Sequence, residues 1–207
     1  APAFQMRHAA RSGLAPTAPP FSFHEVMQRV RAVIRAVEPH DSAERYRGLG
    51  VDVVEGHAKI VDPWTVEVAL NGGGTRRTTT RSIVIAAGAE PVVPALDGLE
   101  EAGYVTSDTL WAALEAMDQP PARLVVLGGG PIGCELAQAL ARLGSQVTQV
   151  ERSARLLTRE DDEVSALVQQ ALAADGVRVL AGHEALRCET RGEDRFLVVV
   201  RAEGGVP

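Results

Sequence analysis

From residue 120 onward the apolar positions change period in a regular order. Leu124 to Leu127 is a short apolar run between the prolines at 120 and 121 and Gly128, and Arg123 to Leu127 predicts a buried-type strand. Pro131 to Leu143 repeats its apolar positions at helical spacing and stops at Gly144. Gln146 to Val150 predicts a second strand. Asp161 to Ala174 predicts a second helix, with Thr158 as its cap candidate and Gly176 as its stop. Val177 to Leu180 predicts a third strand. The order is βαβαβ, which calls for a parallel sheet covered by helices. Leu186 to Cys188 and Arg195 to Val200 then predict a hairpin about the polar turn Gly192-Glu193-Asp194.

The earlier half is patterned differently. Ser22 and Glu25 form a capping-box pair ahead of Phe23, Val26, Met27, Val30, Ile34 and Val37, so a helix is expected until Pro39. Short strands are expected around Val51 to Val54 and over Trp64 to Leu70, which alternates with period two before the turn Asn71 to Gly74. Ser82 to Ala86 reads as a fully buried strand, and Ser107 to Leu114 as a short helix. Residues 1–20 are rich in alanine and proline and are expected to be loose.

The turn between the first strand and helix of the βαβαβ run is Gly128-Gly129-Gly130-Pro131-Ile132-Gly133. Its G-x-G-x-x-G spacing brings backbone N–H groups to one point. Gly128 permits a tight turn, Gly130 leaves room for a pyrophosphate, and Gly133 lets the helix approach the strand. Pro131 falls in the first helical turn, where its missing N–H costs nothing. The second strand runs into Glu151, 23 residues after Gly128, where an acid accepts from a ribose 2′-hydroxyl. A dinucleotide site is expected. Glu151 favours NAD because a carboxylate repels a 2′-phosphate. Arg152 and Arg155 pull toward NADP, although Arg152 also suits the adenine face or open solvent. Glu135 either complements the dipole of the following helix or reaches toward the nicotinamide. Cys134 reads as a packing residue between helix and sheet.

Charge and cysteine content narrow the classes further. The formal net charge of −6 over 207 residues gives nucleic acid and anionic membrane nothing to bind. No apolar run reaches the ~20 residues of a membrane span, and the start lacks a signal peptide's apolar core. The two cysteines, Cys134 and Cys188, share no CxxC or CxxxxC spacing, so no metal site or dithiol centre is read. A cytoplasmic, reduced protein is expected.

Four stretches in one order carry a resemblance: "SIVIAAGAEPVVPALDG" (82–98), "GYVTSDTLW" (103–111), "LGGGPIGCELAQALARLGSQVTQVE" (127–151) and "LLTREDDEV" (156–164). Together they resemble the class I pyridine nucleotide-disulfide oxidoreductases, with a mercuric reductase-like or dihydrolipoamide dehydrogenase-like flavour, over roughly residues 20–207. The resemblance implies an α/β fold: a Rossmann-like NAD(P)-binding domain over 119–207, joined to part of an FAD-binding domain over 1–118. It implies FAD beside His57 and Ala58 of "GHAKI" and beside Ala87 and Gly88, Ala87 standing where relatives carry threonine. It implies a nicotinamide nucleotide on Gly128, Gly130, Pro131, Ile132, Gly133, Glu151, Arg152 and Ala185, with Glu135 near the nicotinamide as the catalytic-site acid. Pro131 stands where many relatives place an aromatic gate. The five histidines match no catalytic position of the family.

The resemblance further implies hydride transfer from NAD(P)H to flavin and on to a redox disulfide. The family's first glycine loop, its redox cysteine pair and its C-terminal dimerisation domain match nothing in these residues. The chain is therefore expected to be an internal segment of a larger, homodimeric flavoenzyme and inactive in isolation. The alternative is a nucleotide-binding module without turnover.

Overall fold

The computed structural model describes residues 2–18 and 20–202. In chain order its helices are α1 (Pro2–Arg7), α2 (Phe23–Val37), α3 (Ala43–Gly48), α4 (Leu99–Ala102), α5 (Leu110–Glu115), α6 (Pro131–Arg142) and α7 (Asp162–Ala174). Its strands are β1 (Gly56–Asp62), β2 (Thr65–Leu70), β3 (Thr75–Thr79), β4 (Arg123–Leu127), β5 (Gln146–Glu151), β6 (Arg178–Ala181), β7 (His183–Arg191) and β8 (Asp194–Arg201). The chain forms two compact units, one of residues 1–28 with 91–207, the other of residues 29–90.

In the larger unit β4, β5 and β6 pair in parallel in that order, Leu127 opposite Val150 and Glu151 opposite Ala181. Helix α6 packs on β4 and β5, α7 packs on β6, and the two helices touch. This is the expected βαβαβ run. Its core is supplied by Ala137, Leu140 and Ala141 of α6, Val147 and Val150 of β5, Leu172 of α7, and Leu156 and Val177 in the connections. Asp175, after α7, is almost fully buried and bonds Gln138 (2.7 Å) and Arg142 (2.8 Å), tying the end of α7 to α6. Helix α7 starts from Asp161 at its N-cap rather than from Thr158. Strand β4 is less buried than its composition suggests, with Val125 and Leu127 both exposed. Arg123, Val125 and Leu127 share one face of the strand and are exposed, while Leu124 and Val126 on the other face are half-buried, so one face of β4 is left uncovered.

The hairpin β7–β8 forms as expected, and β7 contacts β5. The crossover over 91–98 threads beside it. The Cys188 N–H donates to the Asp97 carbonyl at 2.7 Å, and a Cβ on Gly98 (φ +74°) would sit 2.4 Å from the Cys188 carbonyl oxygen. The Ala/Pro-rich start is more ordered than its composition suggests. Between Ala3 and Ser12 it carries neither proline nor glycine, and it forms α1 and a 3-10 turn. Phe4 stacks on His8 and receives the Arg142 guanidinium on its ring face, 4.0 Å from the centroid.

The smaller unit is built on an antiparallel meander, β1-β2-β3. Gly56 starts it because the backbones crowd there: a Cβ would fall 2.2 Å from the Ala69 carbonyl oxygen. Glu67 and Arg77 face each other across β2 and β3 and pair at 2.9 Å. Val51 to Val54 lies outside the sheet, one step before β1. Ser82 to Ala86 corrects the expectation of a buried strand: it has no sheet partner, and Val84 and Ile85 are 88% and 75% exposed. A strand buried on both faces needs neighbours on both edges and layers above and below. The described residues supply this segment with no strand on either edge. Helix α2, whose residues up to Gln28 belong to the larger unit, begins as expected, with Ser22 Oγ accepting from the Glu25 N–H at 3.2 Å. Phe23 and Met27 of its predicted apolar face are buried, while Ile34 and Val37 are exposed.

Candidate functional site

The turn from β4 into α6 is held from within. The Gly128 N–H donates to the Val150 carbonyl at 2.8 Å, and the Gly128 carbonyl accepts from the buried Gln149 amide at 3.0 Å. The Gly129 N–H donates to the Glu151 carboxylate at 2.6 Å, and the Gly129 carbonyl accepts from the Leu157 N–H at 2.8 Å. All four backbone groups of Gly128 and Gly129 are thereby used inside the protein. The N–H groups of Gly130, Ile132 and Gly133 find no acceptor among the described residues. They stand at the N-terminus of α6, where free amides and the helix dipole favour an anion.

Three glycines of this turn are required for three different reasons. Gly128 sits at φ +107°. A Cβ on Gly133 would lie 2.5 Å from the Gly128 carbonyl oxygen, so α6 closes on the strand only without one. Gly130 has nothing within 4 Å of its Cβ position and is exposed, so its missing side chain leaves open space in front of α6. Gly129, which the G-x-G-x-x-G spacing passes over, is constrained as well: its Cβ would meet Leu156 at 2.7 Å and Glu151 at 2.9 Å. The run of three glycines was the available signal.

Glu151 ends β5, and its two oxygens accept from the N–H groups of Gly129 and Ser153, each at 2.6 Å. Partial burial pushes its carboxyl up, and the bonds from Ser153 and Gly129 more than offset this, so the group lies below the usual carboxylate range. It is a charged brace of the glycine turn. Each oxygen retains capacity for a further donor such as a ribose hydroxyl. Gln149 was not among the residues singled out from sequence, since a third polar residue in the mixed strand Gln146–Glu151 gave no signal. Its amide joins the Gly128 carbonyl to the Cys134 sulfur, 3.5 Å away. Cys134 is buried against the sheet. Burial pushes its thiol up, and the charges of Glu151 and Glu135 add to this against the Gln149 bond. Burial pushes the Cys188 thiol up too, so neither cysteine favours the thiolate.

The remaining expected residues fall into three places. Glu135 is exposed and is the fifth residue of α6, beyond the first turn, which corrects the dipole reading because that effect fades within one turn. Pro131 and Ile132 are exposed at the start of α6. Ala185 lies half-buried on β7 beside Glu184, and Glu184 pairs with Arg152 at 3.6 Å. Arg155 is turned inward: it donates to the carbonyls of Leu157, Thr158 and Glu160 and pairs with Asp162 at 3.0 Å. In the smaller unit His57 and Ala58 are exposed on β1, and Ala87 and Gly88 are exposed on a loop with Gly88 at φ +72°. Among the described residues no second strand enters a helix through a glycine-rich turn. Nor do three His, Cys, Asp or Glu side chains converge to hold a metal ion, and no helix is long and apolar enough to cross a membrane.

Comparison with known proteins adds to this geometry. The family described as pyridine nucleotide-disulphide oxidoreductase matches residues 18–206. A mercuric reductase of Streptomyces lividans is 37% identical over 185 residues, 86% of this chain and 37% of that protein. A dihydrolipoyl dehydrogenase of Pseudomonas aeruginosa is 42% identical over 137 residues, 66% of this chain and 28% of that protein. The chain thus spans well under half the length of these curated relatives. Among solved structures, LpdA of Mycobacterium tuberculosis superposes with a TM-score of 0.70 at 23% identity, over 97% of this chain and 43% of that one. The flavoprotein disulfide reductase RclA of Escherichia coli superposes with a TM-score of 0.61 at 24% identity, over 96% of this chain and 44% of that one. These superpositions establish the fold.

Proposed function

Because the chain belongs to the pyridine nucleotide-disulphide oxidoreductase family, we propose that residues 119–207 bind the nicotinamide nucleotide of an FAD-dependent oxidoreductase. Residues 1–118 then contribute part of its flavin-binding domain. One observation carries the reading. The N–H groups of Gly130, Ile132 and Gly133 are unspent at the start of α6, while every polar group of Gly128 and Gly129 is spent on fixing the turn. A diphosphate fits those three donors, and the open space over Gly130 admits it. Glu151, held charged by Gly129 and Ser153, takes the ribose hydroxyls and favours NAD over NADP. Ala185 lies at the adenine end and Glu135 toward the nicotinamide.

Bound together, the two cofactors supply hydride donation from NAD(P)H and its acceptance by flavin. This chain's part is to grip, orient and discriminate. His57, Ala58, Ala87 and Gly88 are exposed and fit backbone contacts to FAD, but they offer no array of free helix amides for its diphosphate. Electrons would leave through a redox disulfide outside these residues, since Cys134 and Cys188 are unpaired, protonated thiols on separate elements. The final acceptor is a metal ion, as the name mercuric reductase says of one relative, or a small disulfide. The whole enzyme would act as a homodimer.

A titration of the chain with NADH and NADPH tests this. Saturable NADH binding that Glu151→Gln weakens more than it weakens NADPH binding is expected. Equal losses for both nucleotides would defeat the role given to Glu151. A second reading, a nucleotide-binding module without turnover, draws on the same free amides and the absence of a reactive thiol among the described residues. NADH binding by a chain that carries no flavin is common to both. Diaphorase turnover by the full-length gene product separates them.

A further inference from the structure

The ribose end of the site holds two arginines, and both are already engaged. Arg155 spends most of its five N–H donors on the carbonyls of Leu157, Thr158 and Glu160 and on Asp162. Those bonds shape residues 155–162, including Leu157 at φ +50°, whose N–H holds the Gly129 carbonyl. A guanidinium committed in this way is part of the scaffold and is not offered to a ligand.

Arg152 is matched differently. Its guanidinium lies 3.6 Å from the Glu184 carboxylate. Main-chain pairing brings the two segments together: Glu151 lies opposite Ala181 across β5 and β6, and the Gly182 N–H donates to the Ser153 carbonyl at 2.7 Å. Residues 151–153 and 182–184 are thus neighbours by main-chain geometry, independent of the side-chain pair. Both side chains are exposed, 75% and 42%, so the pair adds little to stability. Its consequence is for local charge. With Arg155 turned inward, Arg152 is left as the arginine next to Glu151 in the chain, and the Glu184 carboxylate faces it.

We propose that Glu184 is a specificity-determining residue that excludes the 2′-phosphorylated nucleotide by occupying Arg152. This deepens the nucleotide-binding reading and rests on it. A 2′-phosphate arriving beside Glu151 needs a free guanidinium, and it has to compete with Glu184 for Arg152. Glu184 acts through Arg152, the group it faces.

The test is calorimetric titration of the full chain with NADH and with NADPH, at low and high salt, for the native chain, Glu184→Gln, Arg152→Ala and the double variant. Glu184→Gln is expected to raise the NADPH-to-NADH affinity ratio roughly fivefold at low salt, with the gain shrinking as salt screens it. The gain should vanish in the Arg152→Ala background. An unchanged ratio in Glu184→Gln overturns the proposal, and so does a gain that persists without Arg152. Failure of the native chain to bind NADH overturns the nucleotide-binding reading itself, and this one with it.

Discussion

Glu151 and Gly133 do different work in one turn, and substitutions separate them. Glu151 lies below the usual carboxylate range because the N–H groups of Ser153 and Gly129 hold its charge. A depressed folded-state pKa stabilises the protein fully above the unfolded value and stops doing so as pH falls through the folded value. Thermal melting of the native chain against Glu151→Gln should therefore show a gap near neutral pH that narrows once pH falls through the ordinary carboxyl range and closes beneath the lowered folded value. A gap that stays constant with pH would mean that the charge is not what braces the turn. Gly133→Ala forces a Cβ to 2.5 Å from the Gly128 carbonyl oxygen. It should cost about 1–3 kcal/mol in denaturant unfolding, by pushing α6 off the strand. The spacing announced Gly128, Gly130, Gly133 and Glu151. It was silent on Gln149 and Leu157 because their roles come from bonds to the turn's two inner carbonyls, and periodicity does not encode such bonds.

At the scale of elements, α6 and α7 are joined where α7 ends. Asp175 is nearly buried and accepts from Gln138 and Arg142. Asp175→Ala leaves the Arg142 charge part-buried without its partner, and a loss of about 2–4 kcal/mol is expected in chemical unfolding. A loss below about 0.5 kcal/mol would place the pair among surface bridges of little consequence. The βαβαβ run was legible because both stops, Gly144 and Gly176, sit where the chain turns left-handed after a helix. Ser82 to Ala86 was misread for a physical reason. Composition reports that a segment suits burial, and neighbouring strands decide whether burial happens. Val125 and Leu127 repeat the lesson on β4, where one face of an apolar strand is left uncovered.

Across the whole molecule, burial is uneven. Within residues 29–90 the meander buries only Val68 among its apolar side chains, whereas the larger unit carries the helix-covered parallel sheet. Hydrogen exchange should accordingly release the amides of β1 and β3 well before those of β5. Equal protection of the two sheets would contradict this. The positions proposed to face flavin rest on family resemblance alone, and His57, Ala58, Ala87 and Gly88 are exposed within the unit of thinner core. Purified on its own, the chain should show little of flavin's visible absorption. Stoichiometric flavin would mean that these few contacts suffice.

The central claim is that the unspent amides at the start of α6 grip a nicotinamide nucleotide across the space left by Gly130. Calorimetric titration of NADH into native protein and Gly130→Ala tests it most directly. Alanine meets no protein atom within 4 Å there, and at an N-cap it costs at most about 1 kcal/mol, so the variant stays folded. The account predicts that NADH affinity falls by on the order of tenfold or more, because the new methyl occupies the diphosphate's path. Undiminished NADH affinity in the folded variant would contradict it.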